Sequence, residues 1–383
     1  MHVRNIMLSP VGTSILTNGL DDQENWRPPA GTANLQASQL SLEDKAAIDA
    51  RIAEVRARVG DLTGASVVLP NLSAELNGIN RYFADSDSRP TPTDQHYLIP
   101  SDTYVGDQAA QLVELVLRAS GVTCVEIIRF KGLNTSSNRS FSRAVGDLST
   151  WCGNVLPTRT DTSSRVVFCT AGGFKALVGY LTVLGMLHHA EISYVFETGE
   201  EGIRLPAYPL RFDETPFREH AVAFGRMEQG EELTTDEVSG IDGALLTEVG
   251  DDAYWMSDLA SMYWGALKKE IYGERLLPWP NLEYRDPFVG GFEAQKDRNL
   301  RAAFQESLAK ASVTLRSTRG WSSIGAAGLH YDRMEGMKSD EFARVDHFRP
   351  HENFRVLCGW DGARLVMLDL RSKNDFKSKY GGG

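Results

Sequence analysis

Across the first half of the chain, short β-rich runs alternate with longer helix-patterned segments, and few folds accommodate that alternation. The runs are 4–9 (RNIMLS), 66–69 (SVVL), 96–100 (HYLIP), 123–130 (TCVEIIRF), 166–170 (VVFCT) and 192–196 (ISYVF). Each is bounded by turn residues, as strands are. Helix candidates at 42–58, 104–119, 139–152 and 173–189 fill the gaps. A strand that returns parallel to its predecessor needs a long crossover, usually a helix. The pattern therefore predicts an α/β fold, a parallel sheet with helices on both faces. Such sheets take ligands at the carboxyl ends of their strands, where the strand order reverses.

The rest of the chain reads differently. Residues 213–258 carry thirteen acidic and two basic side chains, so 2 − 13 = −11 falls in that stretch, which equals the net charge of the whole protein. Aromatics follow: Tyr254, Trp255, Tyr263, Trp264, Tyr272 and Trp279. LTTDEVSGIDGALLTEV at 233–249 is expected to form a small helical unit entered through a threonine cap. The aromatic stripe is expected to pack as core. Pro278, Pro280 and Pro287 mark a break. Beyond it, 293–311 is predicted to be an amphipathic helix, and a Gly/Ser-rich stretch near 318–328 a loop. Runs at 341–348, 353–360 and 363–370 follow, the last two joined by Asp361-Gly362, a hairpin signal. A helix followed by an antiparallel meander makes a C-terminal α+β domain. The expected organisation is 1–212, an acidic and aromatic linker or small helical domain at 213–284, and 285–383.

Charge and cysteines narrow the function classes. An acidic chain does not coat nucleic acid nonspecifically. Its last residues are basic, however: Arg371, Lys373, Lys377 and Lys379 stand against Asp375 alone in RSKNDFKSKY. That local charge suits an anionic target. Cys124, Cys152, Cys169 and Cys358 form no CxxC pair and the histidines no HExxH-like spacing, so neither a metal nor a disulfide is expected. No apolar run is long enough to span a bilayer and MHVRNIMLSPVGTS has no signal-peptide character, so the expected location is cytoplasmic, away from membranes.

Two loops carry candidate ligand contacts. The first strand runs into SPVGTSILTN, with Gly12, Thr13, Ser14 and Asn18 at its carboxyl end. Strand 166–170 ends in Thr170, Gly172 and Gly173, and Lys175 opens the next helix. Glycines admit close backbone approach, and the N–H groups of a helix start together with a lysine favour an anion. Neither a Walker A loop nor GxGxxG is present, which counts against ATP or NAD. LSPVGTSILTN with CTAGGFK resembles the CRISPR-associated Rossmann-fold (CARF) sensors, over about residues 1–210, including SDTYVGDQAAQLV. Ala171 departs from the family pattern by separating the threonine from the glycines. The resemblance implies a Rossmann-like sheet, a homodimer, and a cyclic oligoadenylate bound across the two-fold axis. A ring of four, cyclic tetra-adenylate, is the expected activator.

The end of the chain resembles the C-terminal half of RelE-family toxins, which cut messenger RNA in the ribosomal A site. FRVLCGWDGARLVMLDLRSKNDFKSKY carries that similarity, which extends over about 285–380. By this resemblance Arg355 is the strand arginine, Arg371 and Lys373 the basic stretch, and Tyr380 the terminal tyrosine. The family's second arginine aligns with Asn374, and Arg344 or His347 stands nearest a further basic position. The implied chemistry is metal-free attack of the 2′-hydroxyl on the adjacent phosphate, with no cofactor. It needs a base, a proton donor and cations for the phosphorane. Together the two resemblances imply a messenger-activated ribonuclease of type III CRISPR antiviral defence that inhibits translation. Its partners would be messenger RNA and the ribosome or a ribosomal protein. A sensor-gated transcription regulator and an enzyme that degrades the messenger are the competing expectations.

Overall fold

The computed structural model describes residues 4–18, 26–62, 72–86, 88–157, 163–195, 202–207, 213–318, 325, 328–334, 337, 339, 341–342 and 344–381. The chain divides into two compact units, Met1–Phe212 and Asp213–Gly383. Among the described residues no helix is long and apolar enough to cross a membrane.

The first unit is built on strands β1 (Arg4–Val11), β2 (Gln95–Pro100), β3 (Cys124–Ile127), β4 (Ser164–Cys169), β5 (Glu191–Val195) and β6 (Gly202–Leu205). They form one sheet in the order β3-β2-β1-β4-β5-β6. The first five run parallel, and β6 closes the edge antiparallel to β5. This is a mixed α/β unit compatible with a Rossmann-like fold. The order reverses between β1 and β4, so the switch point lies at their carboxyl ends.

The helices are α1 (Ser14–Thr17), α2 (Leu42–Leu62), α3 (Ala74–Ala84), α4 (Tyr104–Ala119), α5 (Asn138–Val155) and α6 (Lys175–Leu187). Local chemistry fixes several starts. Ser73, Thr103 and Ser137 each accept a hydrogen bond from a backbone N–H in the first turn of α3, α4 and α5. Alternation along the strands then divides the packing. Met7, Val167 and Leu98 join a core with Leu76, Ile79 and Phe83 of α3 and Val105, Leu112 and Val116 of α4. On the opposite face, Phe168 and Ile192 lie against Gly185 of α6, and Tyr97 meets Trp151 of α5 edge-on. The expected strand at 66–69 lies outside the described residues.

In the second unit, α7 (Thr215–Glu219), α8 (Ala221–Glu228) and a hairpin of β7 (Leu246–Gly250) and β8 (Ala253–Met256) precede α9 (Asp258–Glu274). The helical unit expected over 233–249 is absent. Thr234 does open a turn, its backbone N–H bonded to Glu237 and its carbonyl accepting from Val238 N–H. Gly240 then takes a φ of +87°, which ends the turn, and Asp242 caps only a three-residue 3₁₀ turn before β7. The aromatics form core in part: Tyr254 and Trp255 are half-buried on β8, whereas Trp264, Tyr272 and Trp279 are buried and meet edge-on in sequence. The Trp264 and Trp279 indoles donate to Glu228 and Gln305, so neither buried N–H is wasted.

Strand β9 (Leu282–Tyr284) leads into α10 (Asp286–Glu293) and α11 (Arg298–Thr318). The helix expected at 293–311 is α11, which starts later, at Arg298, and runs on to Thr318. Asp297 sets that start, because its carboxylate accepts the Asn299 N–H and its carbonyl accepts the Arg301 N–H. Then come β10 (Asp332–Arg333), β11 (Arg344–His351), β12 (Phe354–Trp360), β13 (Leu365–Ser372) and α12 (Lys373–Tyr380). The sheet order is β10-β11-β12-β13-β9, antiparallel except for β13 with β9. The Asp361-Gly362 hairpin is present. Gly362 has a φ of +100°, and the Asp361 carboxylate accepts from the N–H groups of Ala363 and Arg364. The loop expected near 318–328 lies outside the described residues apart from 318, 325 and 328.

Candidate functional site

The two sensor loops meet at the switch point. β1 delivers Gly12, Thr13 and Ser14, and β4 delivers Thr170 to Lys175. Their backbones touch: a Cβ on Gly12 would lie 3.3 Å from the Gly173 N and Cα. Gly173 has a φ of +84°, and a Cβ there would meet Pro10 at 2.7 Å, so only glycine fits.

The expected free N–H groups are not free. Glu75, in the first turn of α3 and 1% exposed, inserts its carboxylate between the loops. Its Oε1 accepts from Gly12 N–H at 2.7 Å and Gly173 N–H at 3.2 Å. Its Oε2 accepts from the Ser14 hydroxyl at 2.8 Å, and that hydroxyl in turn accepts from Ala74 N–H at 3.1 Å. A Cβ on Gly172 would lie 2.2 Å from Oε1, so glycine at 172 makes the room. Ala171, the departure from the family pattern, sits against Gly78 of the same helix, where a Cβ would come within 2.7 Å.

The remaining ligand candidates take different places. Lys175 and Asn18 are exposed and Thr13 is half-buried. Thr170 is buried and gives its hydroxyl to the Ser193 carbonyl at 3.3 Å, bracing the loop from β5. At the carboxyl end of β2, beside β1, a cleft of about 350 Å³ is lined by Gln36, Asp102, Thr103, Tyr104 and Arg129 among others. Sequence reading missed Glu75. An acid in a first helical turn ordinarily reads as a partner for the helix dipole, and nothing local links it to loops 63 and 98 residues away.

In the second unit, strand alternation sorts the candidate catalytic residues. Arg355 and Arg371 are direct cross-strand partners on β12 and β13, hence on one face. His347 faces Leu357 across β11 and β12, and its ring packs on Phe376 of α12 at 5.5 Å. Arg344, three residues earlier in the strand, points to the opposite face, where it bonds the buried Asp346 at 2.6 Å. Arg344 and His347 therefore do not share a site. Lys373 is exposed at the start of α12.

Asp369, 2% exposed, organises the α12 side. Its Oδ2 accepts from Arg371 at 2.7 Å, Lys379 at 2.9 Å and the Tyr380 hydroxyl at 2.6 Å. Burial pushes the Asp369 carboxyl up, but these three donors outweigh it and hold the group below its ordinary value. Burial, with help from the neighbouring carboxylate, pushes the Tyr380 phenol up, so it keeps its proton near neutral pH. Arg355 is 6% exposed and gives its guanidinium to the carbonyls of Glu352 and Phe354 at 3.1 and 2.8 Å. Burial and the Arg355 and Arg349 charges lower the His347 pKa, which keeps the imidazole neutral at pH 7. Its Nδ1 is buried and has no hydrogen-bond partner among the described residues. The face thus holds a neutral imidazole, two cations and a protonated phenol around one carboxylate, and a third cation, Arg355, held by backbone carbonyls. Asp369 is an addition that the charge pattern of the tail did not single out, and it draws in Lys379, which that pattern named only as part of the basic end.

Residues 70–208 match the model of a family described as CRISPR-associated protein (Cas_APE2256). The matched span takes in Glu75 and the loop from Thr170 to Lys175 but begins after the loop at Gly12. No curated protein matches the chain. Over about a third of its length, within the sheet that carries the loops, this chain is similar to CRISPR-associated proteins.

Proposed function

We propose that the first unit binds a cyclic oligoadenylate, cyclic tetra-adenylate foremost, and that the second unit cuts messenger RNA in response, in type III CRISPR defence. The observation that carries the reading is the meeting of the Gly12–Ser14 and Gly172–Lys175 loops at the switch point of a sheet matched to a CRISPR-associated family. Backbone N–H groups from two strand ends converge there on an anion, with Lys175 exposed two residues on. The cleft beside β2 opens on the same edge of the sheet and falls within the size range of small-ligand sites.

For the second unit, the supporting observation is one sheet face holding Arg355, Arg371, His347 and Tyr380. RNA cleavage without metal follows from what these groups can do. The neutral His347 accepts the 2′-hydroxyl proton. The guanidiniums of Arg355 and Arg371 stabilise the charge on the phosphorane, and the protonated Tyr380 delivers a proton to the departing 5′-oxygen. Asp369 positions Arg371 and Tyr380. Incubation with translating ribosomes and cyclic tetra-adenylate, followed by mapping of RNA ends, tests the reading. New ends that depend on the ring support it. Ring binding without new ends would favour the transcription regulator, and loss of the ring itself the messenger-degrading enzyme.

A further inference from the structure

We propose that Glu75 is a resident anion in a phosphate seat, and that a phosphate of the bound ring enters by exchange with it. The inference rests on the sensor reading above and deepens it by naming the seat: Gly12 N–H, Gly173 N–H and the Ser14 hydroxyl. A carboxylate presents two oxygens to these donors, one to the backbone pair and one to the hydroxyl. A phosphodiester presents two non-bridging oxygens of like charge and spacing, so one set of donors serves either group.

The burial of Glu75 is otherwise hard to account for. Glutamate is almost never fully buried unless it is paired, and among the described residues no ion pair neutralises this one. Neutral dipoles alone hold it, which marks the surroundings as built for negative charge. The loop is shaped for the same purpose. Glycine at 172 leaves the space that the carboxylate fills, and Gly173 turns its N–H inward through a φ of +84°. These donors lie where open α/β sheets place ligands.

Two anions cannot share the seat, so ring binding expels Glu75. The residue stands at the start of α3, whose Leu76, Ile79 and Phe83 lie in the core of the unit. Occupancy of the seat is thereby coupled to the first turn of α3, a device for converting a phosphate into a movement.

Glu75→Gln keeps the shape and the acceptor but removes the charge, and a neutral hydrogen bond is about half as strong as a charge-assisted one. Calorimetry is expected to show the variant binding cyclic tetra-adenylate about tenfold more tightly than the parent. Hydrogen exchange on the parent is expected to show first-turn amides of α3, such as Leu76 and Asn77, exchanging faster with the ring bound. Two results would each overturn the exchange while leaving the sensor reading standing. One is a Gln variant of unchanged melting temperature that binds no tighter than the parent. The other, read on the parent alone, is α3 amides that exchange no faster with the ring. If neither parent nor variant binds the ring, the sensor reading falls and the exchange falls with it.

Discussion

Lys175 stands exposed at the first position of α6, next to a cradle whose backbone donors are already taken. If the switch point binds a phosphate as proposed, this ammonium is an exposed charge beside it. Lys175→Ala is expected to weaken cyclic tetra-adenylate binding about tenfold or more by calorimetry, the worth of one charge-assisted contact. Its melting temperature should hold, because α6 packs through Leu177, Leu181 and Leu184 and not through the lysine. Unchanged affinity would remove Lys175 from the site. The glycines of this loop were legible in the sequence because only a few residue types tolerate such turns. Thr170 was legible as a polar loop residue but not as a brace for β5, since its partner Ser193 arrives 23 residues later. Arg355 was found as a strand residue and Arg371 as part of the basic stretch, whereas the buried Asp369 that binds Arg371 was hidden in an apolar run.

Strands β1 to β5 of the first unit were recovered from turn-bounded apolar runs, and α4 at 104–119 from its period, but the antiparallel edge strand β6 was not read. The misreadings arose where a good local start met an early stop. Thr234 and Glu237 begin a turn that Gly240 ends, and Asp297 cuts off the first residues of the run at 293–311, so that α11 begins only at Arg298. Within β2, His96 makes a prediction of its own. It is 1% exposed, lies beside Phe83, and among the described residues has no hydrogen-bond partner for either ring nitrogen. Burial pushes its pKa down to about 4, against a smaller opposing pull from Asp94. The fold accepts only the neutral ring, whereas the unfolded chain takes up a proton below an ordinary value of about 6.5. This contribution to stability is complete above pH 6.5 and is lost as the pH falls from 6.5 towards 4. At pH 5 the loss amounts to about 2 kcal/mol. Melting curves at pH 7 and pH 5 should show a drop for the parent and a smaller drop for His96→Leu. Equal drops would show that His96 does not titrate in this way.

At the scale of the whole molecule, one copy of the first unit presents one set of switch-point loops. A ring of four adenylates repeats its phosphates with two-fold symmetry, so two copies related by a two-fold axis match it. Light scattering is expected to give a dimer with the ring bound, and a monomer both with and without it would contradict the symmetric site. The division into an α/β unit and a unit with a largely antiparallel sheet was readable from the change of pattern along the chain. That the acidic, aromatic stretch at 213–284 folds into the second unit was less so, because Trp279 and Trp264 find Gln305 and Glu228 only in three dimensions. The central claim is that binding in the first unit releases cutting by the second. It is tested most directly by following one defined message on purified ribosomes, with parent and Arg355→Ala proteins, with and without cyclic tetra-adenylate. The parent should cut only when the ring is present. Arg355→Ala should cut roughly a hundredfold more slowly or worse, the cost of removing one preorganised charge from a transition state, while binding the ring as the parent does. Equal cutting by the two proteins would place the chemistry elsewhere, and a parent that never cuts with ring and ribosomes present would contradict the claim.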